Sequence, residues 1–109
     1  MKRGEVWTVA GGLDYVGKPR PAVIVQDDAF SDTASVAVCA LTTTVLSASL
    51  ARVAIEPSSA NGLRSPSQIM ADKVTSVPRA KLGRRIGRLS DADITRVDRA
   101  LLIFLGLAH

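Results

Sequence analysis

Arg20 is held between two prolines in Lys18-Pro19-Arg20-Pro21-Ala22-Val23-Ile24-Val25-Gln26, at the mouth of an apolar strand. Proline fixes its own φ and pushes the residue before it out of the helical region, so Arg20 is expected to be extended and restrained. A guanidinium held still suits phosphate recognition, although a strand-opening arginine that merely solvates a sheet edge would read the same. A second set of donors is Thr42-Thr43-Thr44, where the apolar segment Ser35 to Thr42 opens into hydroxyls. Other chemistry is scarce. The sole histidine is the last residue, His109, and the sole cysteine, Cys39, sits inside Val36-Ala37-Val38-Cys39-Ala40-Leu41 and reads as a small buried hydrophobe. The sequence offers no metal-ligand cluster, no Ser-His-Asp arrangement and no Gly-rich phosphate loop, and calls for no cofactor. One reaction needs neither metal nor protein nucleophile: attack of an RNA 2′-hydroxyl on its own adjacent phosphate. The protein need only align the atoms, stabilise charge on the phosphorus oxygens and move protons. Arg20 and a threonine at a neighbouring strand end are suitable donors, and one carboxylate could assist as base.

The elements that must position these groups are short. Glu5 to Ala10 reads as a half-buried strand ended by Gly11 and Gly12, and a glycine-rich loop to Gly17 leads into the strand Ala22 to Gln26. Asp27 to Thr33 reads as a loop, and Ser35 to Thr42 as a strand covered on both faces. Arg52 to Glu56, Gln68 to Thr75 and Arg84 to Leu89 read as further extended segments, with Pro57 to Gly62 as a turn. The period then changes. Ser90 is an N-cap, Asp91 and Asp93 fall in the first turn, and Ile94, Val97, Leu101, Phe104 and Leu105 recur at helical spacing before Gly106. Leu102 and Ile103 widen that apolar face enough to reach a subunit interface. Five to seven short strands and one terminal helix predict a mainly β chain, a small, strongly bent antiparallel sheet.

The 109 residues fit one domain spanning 1–109. No apolar run approaches the length of a membrane helix or a signal-peptide core, so a cytoplasmic protein is expected. Net charge is +4, unevenly spread: residues 61 to 109 carry nine Lys or Arg against four acids, and between Arg64 and Arg88 seven basic residues face only Asp72. Such an excess favours a polyanionic partner and salt-sensitive binding. With four aromatic residues in all, the chain lacks the stacking platforms of RRM-type sheets.

Lys2-Arg3-Gly4-Glu5-Val6-Trp7, Arg20-Pro21-Ala22-Val23-Ile24-Val25 and the Leu41-Thr42-Thr43 strand end, in this order and spacing, resemble the MazF/PemK family of toxin endoribonucleases from type II toxin-antitoxin pairs. The likeness continues through Met70-Ala71-Asp72-Lys73-Val74-Thr75-Ser76-Val77-Pro78 and Ile86-Gly87-Arg88-Leu89-Ser90 to the terminal helix. The resemblance implies an SH3-like small β-barrel forming a homodimer, whose cleft admits single-stranded RNA and cuts at a short preferred sequence, leaving 2′,3′-cyclic phosphate and 5′-hydroxyl ends. It implies Arg20 and Thr42 as catalytic residues, Arg20 stabilising the phosphorane and Thr42 bonding a non-bridging oxygen. Asp72 matches an acidic position that some members use, and an ion pair with a neighbouring arginine accounts for it equally well. Met70 stands where one branch has an arginine, and the first loop lacks the histidine of some relatives, so no mechanism using those groups carries over. Lys18, Thr43, Gln68 and Lys73 are candidate RNA contacts, each also readable as a solvated polar residue. A MazE-like antitoxin with a flexible acidic segment would suit the basic stretch. Two alternatives remain open: a CcdB-like toxin that poisons gyrase through the terminal helix, and a barrel that binds RNA without cutting it.

Overall fold

Seven strands form one bent antiparallel sheet, in a computed structural model that describes residues 1–10, 19–45 and 49–108. They are β1 (Glu5–Val9), β2 (Arg20–Ile24), β3 (Ser35–Thr42), β4 (Arg52–Ile55), β5 (Ser67–Met70), β6 (Thr75–Pro78) and β7 (Leu82–Arg88), followed by the helix α1 (Asp91–Phe104). The order across the sheet is β4-β5-β3-β2-β1-β7, with β6 also paired to β3. One edge of β3 is therefore shared in sequence: β6 takes Ser35 to Val38, and β5 takes Leu41 and Thr42. The segment from Gln68 to Thr75, expected as one extended piece, is instead two strands broken by a 3₁₀ turn, Ala71–Lys73. That break lets the chain leave the end of β3 and rejoin it nearer its start, which bends the sheet over itself. A further 3₁₀ turn, Asp28–Phe30, lies in the expected loop, its start capped by Asp27 accepting from the Ala29 amide.

The apolar run of β3 is explained by two cores. Cys39 and Leu41 join Val6, Val23, Ile69, Leu89, Val97 and Ala100 on one face. Val36 and Val38 join Val9, Ala22, Ile24 and Val77 on the other, closed by Trp7 and Leu82. Alternate residues of β2 and β3 thus enter opposite cores, and both strands must be apolar on both faces. Cys39 is fully buried, and that burial pushes its thiol up to about 12, as expected of a packing residue.

The helix packs over the first core through Val97 and Ala100, with Ile94 and Leu101 half-buried. Ser90 caps it, its hydroxyl accepting from the Asp93 amide at 3.1 Å. The expected apolar face is shorter than its spacing suggests: Leu102, Phe104 and Leu105 are exposed, because the covered surface ends at Leu101. The opening basic motif serves this packing. Arg3 donates through Nε to the Val25 carbonyl and pairs with Asp98 on the helix at 2.6 Å, tying β2, the N-terminus and α1 together.

Candidate active site

β2 and β3 run antiparallel with Ala22 opposite Ala40 and Ile24 opposite Val38. The same register, followed two residues outward, brings Arg20 and Thr42 to one end of the ladder. Both share the parity of Ala22, Ile24, Val36 and Val38, so they belong to one face of the sheet, that of the second core. Arg20 is exposed and pairs through its backbone with Val9. Thr42 is half-buried and lies opposite Gln68 of β5. Its Oγ1 accepts from the Thr44 amide at 3.1 Å, which leaves the hydroxyl proton available to a phosphate oxygen.

The opposite face of the same strand ends holds a groove of about 660 Å³. Pro19, Pro21, Thr43 and Thr8 line it together with Leu63, Arg64, Ser65 and Ser67 and with residues of β7. Arg20 is not among its described lining residues, although both flanking prolines are. The groove and the Arg20–Thr42 pair therefore lie on opposite faces of the same strand ends, as strand alternation requires. The wall at Leu63 is shaped by Asn61. Its Oδ1 accepts from the Ser58 and Leu63 amides and its Nδ2 donates to the Glu56 carbonyl, all at 2.9–3.0 Å. Gly62 follows with φ +73°, backed against the Ile86 carbonyl, where a β-carbon has no room.

The remaining candidates are dispersed. Thr43 faces the groove, and Gln68 is buried as the partner of Thr42. Asp72 and Lys73 stand in the 3₁₀ turn at the other end of β5 from Ser67. Asp72 forms the ion pair: Arg52 Nε and Nη2 donate to its two carboxylate oxygens at 2.7 and 3.1 Å. Those hydrogen bonds hold its carboxyl below the usual aspartate range, which makes it a poor proton acceptor. Lys73 is exposed, and Lys18 lies outside the described residues. Among the described residues, no three His, Cys, Asp or Glu side chains are grouped to hold a metal ion.

The family model for the PemK-like, MazF-like toxin of type II toxin-antitoxin systems matches residues 2–105. The chain belongs to that family. A protein of Mycolicibacterium smegmatis named probable endoribonuclease MazF is 53% identical over 108 residues, covering 99% of each chain. Endoribonuclease MazF9 of Mycobacterium tuberculosis is 30% identical over 116 residues, covering 98% of each. A solved mycobacterial endoribonuclease in complex with its cognate antitoxin superimposes with a TM-score of 0.84 at 28% identity, over 100% of this chain and 98% of that one.

Within this toxin fold the basic stretch divides into structural and available cations. Arg79 is structural, donating to the carbonyls of Ser31 and Thr33. Arg85 pairs with Glu5 at 3.0 Å and Arg88 with Asp91 at 3.5 Å. Burial alone would raise the Glu5 carboxyl, but the Lys2 amide, the Trp7 indole and Arg85 outweigh it and hold Glu5 low. Arg64, Lys73, Lys81 and Arg84 are exposed, with no side-chain hydrogen bond or ion pair among the described residues. Sequence reading missed the groove residues Arg64, Ser67 and Arg84 as a group. The available signal was Gly83 and Gly87 inside a short strand, since glycine there often marks a bulge or a close approach.

Proposed function

We propose that this toxin is a sequence-specific endoribonuclease that cuts single-stranded RNA by 2′-hydroxyl attack. The bond from the 2′-oxygen to phosphorus forms as the bond to the 5′-oxygen breaks, leaving 2′,3′-cyclic phosphate and 5′-hydroxyl ends. The observation that supports this reading is the β2–β3 register, which brings Arg20 and Thr42 to one strand end and one face. Arg20 is permanently protonated, so it stabilises the phosphorane oxygens rather than acting as a base. Thr42 donates its remaining proton to a non-bridging oxygen. Asp72 stays in its ion pair, and Thr43 and Lys73 contact the RNA beyond the reacting phosphate. Cutting messages stops translation and growth, and a MazE-like antitoxin with an acidic flexible segment relieves it by covering the exposed cations. The chain acts as a single domain in the cytoplasm, as a homodimer joined in part through the exposed Leu102, Leu105 and Leu107.

The test is incubation of purified protein with a long single-stranded RNA in EDTA, with mapping of fragment ends. Discrete cuts bearing 5′-hydroxyl ends are expected from the wild type and none from Arg20→Ala, whose kcat/KM should fall at least about 100-fold, the usual scale for losing one charge-stabilising donor. Intact RNA that remains bound would replace this reading with that of a passive RNA-binding barrel.

A further inference from the structure

Arg84, Arg85 and Ile86 are consecutive residues of β7, yet all three line the groove. An unbroken strand would send the middle one to the opposite face. The ladder with β1 explains the exception. Between Val6↔Gly87 and Trp7↔Arg85, one residue of β1 is matched by two of β7, and between Trp7↔Arg85 and Val9↔Leu82, two are matched by three. Two successive bulges thus re-aim β7 side chains at the groove. The distortion is held: Thr8 Oγ1 accepts from the Arg84 amide at 3.0 Å, and a β-carbon on Gly83 would run into that hydroxyl. Bulges of this kind are built features that aim side chains at sites.

The side chains so aimed suit one nucleotide of RNA. Pro21, Leu63 and Ile86 offer apolar surface to the face of a base. Ser67 Oγ donates to the Ser65 carbonyl at 2.9 Å, so its lone pairs remain to accept from a base edge, whereas Thr8, already accepting, has a proton to donate. Arg85 is held by Glu5. Arg64 on the loop and Arg84 on the bulge carry no ion pair among the described residues and face the same space, as a phosphate requires. The groove volume lies within the roughly 300–1,000 Å³ of small-molecule sites. Pro19 and Pro21 flank Arg20 and line the groove, so an RNA strand with its scissile phosphate at Arg20 has an adjacent nucleotide within reach of it.

We propose that this groove is a nucleotide subsite flanking the cut, in which Arg84 and Arg64 bind phosphate and Thr8 and Ser67 read the base, making it a determinant of the sequence cleaved. The inference rests on the ribonuclease reading for its place in the reaction, and its test separates the two. Wild type, Arg84→Ala, Arg64→Ala and Ser67→Ala are given a random-sequence RNA pool in EDTA for cut-site mapping. The same proteins are titrated with an uncleavable 2′-O-methyl RNA. Arg84→Ala should still produce 5′-hydroxyl ends, with KM raised about tenfold and by more than kcat falls. Its affinity for the uncleavable RNA should lose about 0.7 from the log-log salt slope, the share of one phosphate contact on a single strand. Ser67→Ala should flatten the base preference at one position beside the cut. Unchanged cut-site preference, affinity and salt slope in all three variants would overturn the subsite. A wild type that cuts nothing, yet binds the 2′-O-methyl RNA in an Arg84-dependent way, would overturn the ribonuclease reading and leave the subsite standing.

Discussion

At the scale of single residues, two hydrogen-bonded groups separate chemistry from support. Thr42 has its acceptor capacity partly used by the Thr44 amide and its proton free, so Thr42→Ser should keep most of the activity and Thr42→Val should lose roughly 10- to 100-fold in kcat. The measurement is single-turnover cleavage of a defined RNA. Asp72 serves the fold through Arg52, whose side chain is only 8% exposed. Its carboxyl titrates below the ordinary aspartate value of about 4 in the folded state, so its stabilising effect is complete above that value and lost as pH falls through the folded pKa. Asp72→Asn should therefore destabilise the protein by about 1 kcal/mol at pH 7, with the gap to wild type closing as pH falls below the ordinary aspartate value. Denaturant melts across that range would show it, and a gap that widened toward acid would contradict the sign. The ion pair was legible as one of two options for Asp72, but its partner was not. Arg52 is twenty positions away, and only the β4–β5 pairing brings it near.

At the scale of elements, what proved readable followed local periodicity. The span of β3, Ser35–Thr42, is that of its apolar run, and α1 begins after the Ser90 cap as its sequence indicates. The break at Ala71–Lys73 was not readable, because it answers to a long-range demand that β5 and β6 pair with different parts of β3. The groove was hidden for the same reason. Its lining comes from β7, from the loop after β4 and from the ends of β1, β2 and β3, and its shape depends on a register slip that no local pattern records. Asn61 is the residue on which that loop depends. Asn61→Ala removes the partner of two amides and one carbonyl at a site 3% exposed, and should cost on the order of 2–3 kcal/mol. Chemical denaturation would measure it, and a loss below about 0.5 kcal/mol would mean that water takes over these bonds.

At the scale of the whole molecule, the net charge of +4 matters less than which cations are left available. With Arg79, Arg85 and Arg88 engaged within the fold, the exposed Arg64, Lys73, Lys81 and Arg84 are the cations of the basic stretch open to a polyanion. Two or more phosphate contacts should make log kcat/KM fall with log salt at a slope of roughly −1.4 or steeper at sub-saturating RNA, and a flat dependence would exclude that role. On the proposed function, the same cations would serve both an RNA strand and an acidic antitoxin segment, since each presents closely spaced negative charge along a flexible chain. Beyond attraction lies the proposed chemistry, in which the substrate's own 2′-hydroxyl is the nucleophile and Arg20 and Thr42 stabilise the reacting phosphate. The decisive measurement is single-turnover cleavage, in EDTA, of an RNA carrying the mapped site beside the same strand with one 2′-deoxy substitution on the 5′ side of the cut. The all-ribose strand should yield 2′,3′-cyclic phosphate and 5′-hydroxyl ends while the substituted strand stays intact; cutting of the substituted strand at the same bond would exclude the 2′-hydroxyl as the nucleophile.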